Sequence, residues 1–443
     1  MTSAAPARDR MWRELLPPGR RYVALPSRRH PIVVAEDRAA VLSYVRESLL
    51  AVPPPLPAWL YPAARAALAV PAVRRCVPRL TVPAPDDRHG RSTSEYSLAD
   101  RAEGPDNGAG PSGSAHSSVD RLLAASGPLV LLDHSRDPDA RLILLLFPHD
   151  AALPTLAVKV PAVPGGATGI IREADRLQAV AALPLGAARP TVPAVVGVLR
   201  HRGLPALATS ALPGVPMLVA YHRPGHHARP GPVHTDFAAA AAWLAALQSA
   251  TAGETAPLDL APQVTELLDG RLGDGPGAER ALEELRALRH RLRQYAAPQT
   301  AVHGDFWPGN VLMRGGRVSG VVDWERARTA GNPLADPARF VVAYCEYLAR
   351  RTRPGHRVPG HPGLVAGEPG AALAYALDGT GWYPRLVRGF LSAALQRLGL
   401  PAACGRDAVL AELAAVAAEA TDPEFTHAQV RAFTRLTSKG AAS

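Results

Sequence analysis

Lysine is almost missing from this 443-residue chain: of its 49 basic side chains 47 are arginine, and the two lysines are Lys159 and Lys439. Where nearly every generic positive charge is an arginine fork, an interior lysine marks a position that requires a compact ammonium. Cysteine is as scarce. Cys76, Cys345 and Cys404 lie far apart, which excludes a disulfide framework and a zinc knuckle. No run of eighteen or more uncharged apolar residues occurs, so no membrane span is expected. The pattern G-x-x-x-x-G-K-[ST] is absent because neither lysine precedes Ser or Thr, which excludes a P-loop. Residues 1–21 scatter five arginines among prolines and lack the apolar centre of a secretory leader, so the expected location is cytoplasmic.

Nearly half the residues are apolar and a fifth are charged, as in soluble globular proteins. The formal charge of +10 is uneven: residues 1–83 hold thirteen arginines against five acids. These arginines are mostly isolated pairs, and no aromatic stacking stripe accompanies them. No nucleic-acid partner is expected.

Residues 1–83 read as a small α/β extension, with short strands at 22–26 and 31–34 and helices at 38–50 and 58–70. Residues 84–118 are Ser, Gly, Asp and Pro with almost no apolar side chains, a composition that cannot offset its ordering entropy, and read as a flexible linker. From 119 to 212 apolar runs at 129–132, 142–147 and 156–160 suggest an antiparallel meander. A helix at 167–183 follows, spaced by Ile170, Ala174, Leu177 and Val180, then strands at 194–199 and 206–212. From 213 to 443 helices dominate. The expected fold class is α+β: a bilobal architecture with a β-rich N-lobe, a helical C-lobe and the small N-terminal α/β extension.

The chemistry concentrates in His303-Gly304-Asp305-Phe306-Trp307-Pro308-Gly309-Asn310, followed after a Gly315-Gly316 hairpin by Val321-Val322-Asp323-Trp324-Glu325. A loop Asp with an Asn five residues later can aim both side chains into one cleft, and the hairpin returns a second carboxylate to it. Asn and Asp are hard oxygen donors suited to Mg2+. Phosphoryl transfer needs little more: a carboxylate near the acceptor hydroxyl and oxygen ligands for the metal across the phosphates.

This segment resembles the catalytic loop and metal site of the aminoglycoside phosphotransferase and choline kinase family, relatives of the protein kinases, with H-G-D-x-x-P-x-N and an apolar strand ending in D-W. The resemblance implies a protein-kinase-like fold and the transfer of the γ-phosphoryl of ATP to a hydroxyl of a small molecule, with ATP and Mg2+ as cofactors. It implies Asp305 as base, His303 as the brace of the loop, and Asn310 and Asp323 as metal ligands. Gly331-Asn332-Pro333-Leu334-Ala335-Asp336 resembles a further family segment whose Asp is structural. Leu156-Ala157-Val158-Lys159-Val160-Pro161 is similar to the kinase strand that presents lysine to the phosphates. Fourteen residues on, Glu173 resembles the acid that fixes this lysine, and is favoured over Asp175. Thr209-Ser210-Ala211-Leu212-Pro213-Gly214 resembles the adenine-binding hinge, with Ser210 and Leu212 as its contacts.

The chain departs from the pattern in places. No G-x-G-x-x-G precedes Lys159, and the matching turn, from Asp133 to Asp139, is acidic, with Ser135 as a remaining donor. Gln248 stands where relatives often have histidine. His222, His226, His227 and His234 crowd a Pro/Gly-rich segment that reads as a solvated loop rather than a metal site. After Asp336 there are eight acids against twelve Arg and Lys with no acidic run, so the acceptor is expected to be neutral or weakly charged, although Glu346 or Glu412 could converge in space.

Overall fold

The computed structural model describes residues 12–50, 60–70, 72, 75, 77–82, 118–133, 139–259, 264–272 and 276–440. Its largest sheet contains β1 (Arg21–Leu25), β2 (Val33–Glu36), β3 (Arg79–Thr81), β4 (Leu129–Leu132), β5 (Arg141–Leu146), β6 (Leu156–Pro161), β7 (Val195–His201) and β8 (Leu204–Ser210). The spatial order is β3-β1-β2-β4-β5-β6-β8-β7, with every pair antiparallel.

Alternation along β5 gives the sheet two faces. Leu142, Leu144 and Leu146 are buried, while Arg141, Ile143 and Leu145 are only half covered. The buried set joins Val158, Val160, Ala206 and Ala208 beneath Val119 and Leu123 of helix Ser118–Ala125. On the other face Ile143 and Leu145 pack against the cluster of Val41, Leu42 and Leu68, and the register of Ile143 opposite Lys159 puts the lysine on that side, with Arg141 and Lys159 near Asp323. Helix Gly166–Ala181 packs beside β6 and β8 through Ile170, Ala174, Leu177 and Val180.

Separation of residues 1–83 from the N-lobe does not hold in this architecture. β1 and β2 continue the N-lobe sheet, with β2 paired to β4 in the register Val33–Leu132, Val34–Leu131 and Ala35–Val130. Trp12, Leu15, Leu16 and Tyr22 enter the same core as Leu129 and Leu142. On the opposite face Val41, Leu42, Val45 and Leu68 cover Val130 and Leu132. The expected boundary rested on composition, whereas strand pairing is decided by long-range hydrogen bonds that composition does not register. The proposed linker lies outside the described residues except for Ser118, which opens a helix.

The second lobe is helical, built on Pro230–Thr251, Pro276–Arg293, Ala335–Glu346, Trp382–Leu398, Ala403–Glu419 and Pro423–Gly440. Trp243 stacks on Phe306 with ring centres 4.9 Å apart, which anchors the polar loop after His303 to the longest of these helices. The expected hairpin is Val311–Arg314 paired with Arg317–Val321, and the connector strand Val215–Pro216 pairs with it through Leu312 and Met313. The connector between lobes is thereby stitched to the hairpin that carries Asp323. No described helix is long and apolar enough to cross a membrane.

Candidate active site

Three residues far apart in sequence meet at one ammonium. Lys159 Nζ donates to both carboxylate oxygens of Glu173, at 2.7 and 2.6 Å, and to Asp323 Oδ1 at 2.9 Å. Glu173 is 2% exposed and accepts a further bond from the Trp324 amide at 3.3 Å, whereas Asp175 is exposed and takes no part. Burial disfavours the charged lysine, but Asp323 and Glu173 outweigh it and raise the pKa above the ordinary value. Burial pushes Glu173 up despite Lys159. Burial would also raise Asp323, but Lys159 and then Arg141 overcome it and hold the carboxyl below its usual range. Asp323 itself lies in the left-handed region at φ 72°, a conformation that aspartate tolerates better than most residues.

The loop from His303 is braced from within. His303 is fully buried; its Nε2 donates to the Val322 carbonyl at 3.0 Å and its Nδ1 accepts the Asp305 amide at 3.2 Å. Asp336 accepts the amides of His303 and Gly304 at 2.7 and 2.9 Å. Gly304 has φ +81°, and an added Cβ would collide with the Arg326 carbonyl, so this turn is closed to side chains. Asn310 Nδ2 donates to the carbonyl and to Oδ2 of Asp305, each at 3.0 Å, and its Oδ1 is the acceptor oxygen of the amide. The Val322 amide bonds the Asn310 carbonyl at 2.9 Å, so Asn310 and the chain entering Asp323 are fixed to one another.

Of the two hinge positions, Ser210 is spent inside the sheet. Its amide goes to the Ala194 carbonyl and its hydroxyl accepts the Ala194 amide, both at 2.9 Å. Only Leu212 lies on the connector, where it rests on Gly320 of the hairpin; a Cβ there would sit 2.7 Å from that of Leu212. Of the acidic turn preceding β5, residues 134–138 with Ser135 lie outside the described residues. Gln248 is buried and donates to the Pro333 carbonyl at 2.6 Å, a structural use. The histidine segment is not a solvated loop. His222, His226 and His227 pack around Tyr221 with ring centres 5.9, 6.2 and 5.6 Å away, because aromatic contacts outweigh the Pro/Gly composition. Burial lowers the pKa of both His222 and His227 to about 4.

Two arginines escaped the sequence reading. Arg339 Nη2 and Nε donate to Asp305 Oδ1 at 2.7 and 3.0 Å. Its position three residues after Asp336, on the same helix face, was the available signal. Arg141 bonds Glu325 and approaches Asp323 Oδ1 at 3.8 Å; it is the charged residue at the cleft-facing parity of β5.

Behind Arg339 stands Glu412, with its Oε1 4.0 Å from Arg339 Nε. Burial pushes the Glu412 carboxyl up from 4.5 to about 7, against Arg339 and with Asp336 and Asp305 adding to the rise. A raised carboxyl means that the folded chain holds the proton longer than the unfolded one. Stability is therefore lost as pH climbs from about 4.5 through about 7, by up to about 3 kcal/mol. Glu412→Gln, neutral at every pH, should gain stability over the parent between pH 5 and pH 8. Thermal unfolding at both values checks this, and identical shifts in both proteins would place the titration elsewhere.

A β-rich lobe and a helical lobe, joined by a connector, meet at a Lys–Glu–Asp cluster beside a braced Asp/Asn loop. Residues 147–362, which hold Lys159, Glu173, Asp305, Asn310 and Asp323, match the model of the phosphotransferase enzyme family. Similar solved structures include a thermostable mutant of aminoglycoside phosphotransferase APH(4)-Ia in apo form, 14% identical over 73% of this chain and 98% of that one, TM-score 0.47. Others are ADP-bound APH(2'')-Ib, 16% identical over 69% and 92%, TM-score 0.41, and the GDP and kanamycin complex of APH(2")-IIia, 14% identical over 70% and 93%, TM-score 0.39. No curated protein matches the chain.

Proposed function

We propose that the chain transfers the γ-phosphoryl group of ATP to a hydroxyl of a small molecule. The observation that carries the reading is the Lys159 ammonium held between Glu173 and Asp323, residues 14 and 164 positions away. Such a cluster fixes one compact cation where a nucleotide's phosphates would lie. Asp305 takes the proton of the acceptor hydroxyl as its oxygen attacks the γ-phosphorus; the bond to the β–γ bridging oxygen breaks and ADP departs. His303 keeps the loop in register, and Leu212 flanks the adenine.

Asn310 Oδ1 and the Asp323 carboxylate are the donors suited to Mg2+. Among the described residues no group of three or more His, Cys, Asp or Glu could hold a metal alone. That fits an ion which keeps its waters and takes one or two protein ligands with phosphate oxygens. Bound there, Mg2+ would neutralise charge across the phosphates. Asp323→Ala should therefore weaken Mg·ATP binding at least a hundredfold (on the scale of losing a charge-assisted ligand) in calorimetry, and unchanged affinity would remove Asp323 from the site.

The acceptor is read as neutral or weakly charged, a sugar or sugar-like metabolite. Glu346 and Glu412 both lie near Arg339, with Arg350 also near Glu346, and burial raises both carboxyls in spite of these arginines. Carboxyls held toward their neutral form in this way offer little fixed negative charge to a polycation. Trp307 stacked on Tyr347, ring centres 6.1 Å apart, adds an aromatic surface beside the base.

A further inference from the structure

We infer that Arg141 is a second phosphate-binding cation of the nucleotide site, supplying from strand β5 part of the grip that a glycine-rich turn provides in protein kinases. The inference rests on the nucleotide reading above. It starts from the sheet: β5 and β6 pair with Ile143 opposite Lys159 and Arg141 opposite Pro161, so Arg141 and Lys159 project from the same, cleft-facing side. They converge on one atom. Asp323 Oδ1 lies 2.9 Å from Lys159 Nζ and 3.8 Å from Arg141 Nη1.

The guanidinium is built in rather than draped on the surface. The Arg141 side chain is 17% exposed and its Nη2 is held by Glu325, while its Nε is buried with no hydrogen-bond partner among the described residues. Room for it comes from Gly169, one turn before Glu173 on helix Gly166–Ala181. An added Cβ at Gly169 would collide with the Arg141 guanidinium and stand 2.8 Å from Glu325 Oε2. Glycine is a poor helix former, so its place here goes with the fork it admits. That fork is planar, always charged and shaped to take two oxygens of one phosphate, with a spare donor already turned inward. The turn preceding β5 is acidic in sequence and has no glycine pattern, whereas Arg141 at its far end stands with Lys159 beside Asp323. Glu325 then occupies the fork in the absence of phosphate.

Calorimetry on the full-length chain separates this role from that of a mere latch between lobes, with Mg·ATP and AMP as probes. Arg141→Gln should weaken Mg·ATP about tenfold or more and leave AMP within about twofold, because the lost contact is to the outer phosphates. Glu325→Gln, which frees the fork, should bind Mg·ATP at least as tightly as the parent. Mg·ATP affinity within about twofold of the parent in Arg141→Gln overturns the inference. So do matching losses in both variants, which would make the pair a latch. Should Arg141→Gln not fold, Arg141→Lys keeps the charge without the fork. A loss of several-fold for Mg·ATP is then expected, and parity overturns the inference. A parent chain that binds no Mg·ATP sinks the nucleotide reading and this inference with it; a parent that binds beside an indifferent Arg141→Gln sinks the inference alone.

Discussion

Replacing Asp305 by asparagine should lower kcat by about a hundredfold or more while leaving Mg·ATP affinity within about twofold. The carboxylate is positioned by four bonds: two from Arg339, and one each from the Asn310 amide to its carbonyl and to its side chain. Asparagine is the same size and can still accept from Arg339, so the loop braced by Asp336 and His303 has no reason to move. What it cannot do is accept a proton from the incoming hydroxyl. Steady-state ADP release with an identified acceptor checks this, and near-normal turnover would remove Asp305 from the chemistry. Arg339 adds a corollary: Asp305 is paired to a cation before any acceptor arrives.

Deleting residues 1–118 should abolish cooperative folding. Leu129, Val130, Leu131 and Leu132 are all nearly fully buried, although β4 is only four residues long. The deleted segment covers them on both faces and pairs their edge. Exposing four such side chains forfeits roughly 6–12 kcal/mol, set against a total domain stability of about 5–15 kcal/mol. Arg20 also bonds the Ser126 and Gly127 carbonyls at 3.0 and 2.7 Å, and these would be left to solvent. The segment reaches the other lobe as well, where Arg223 donates to the Glu47 carbonyl at 3.4 Å and the turn Val45–Leu49 packs against Val215–Pro216. Thermal unfolding of the truncated chain decides the matter; a parent-like cooperative transition would restore the boundary drawn from composition.

The parts of the architecture legible in the sequence are those governed by local rules. The hairpin around Gly315-Gly316 follows from alternation and turn chemistry, and helix Gly166–Ala181 from its apolar spacing. The meeting of Lys159 with Glu173 was legible through the rarity of lysine and the spacing of the resembled motif. What stayed hidden depends on distant partners. β2 finds β4 across nearly a hundred residues of chain, so nothing near residues 33–36 announces which strand they will join. Ser210 reads as the end of a strand, yet the Ala194 segment, which no local pattern assigns to it, takes up its amide and donates to its hydroxyl. Arg141 and Arg339 are two among 47 arginines, and only the register of β5 and the face of helix Ala335–Glu346 distinguish them. The histidines near Tyr221 were misread because loop-like composition says nothing about which rings a segment packs against.

The most direct test of the account is ADP formation from ATP and Mg2+ by the full-length chain, screened across alcohols, amino alcohols and sugars. The account predicts saturable, acceptor-dependent ADP release that Asp323→Ala abolishes, strongest with a neutral hydroxylated ring. Release that no acceptor stimulates, or that survives in Asp323→Ala, would contradict it.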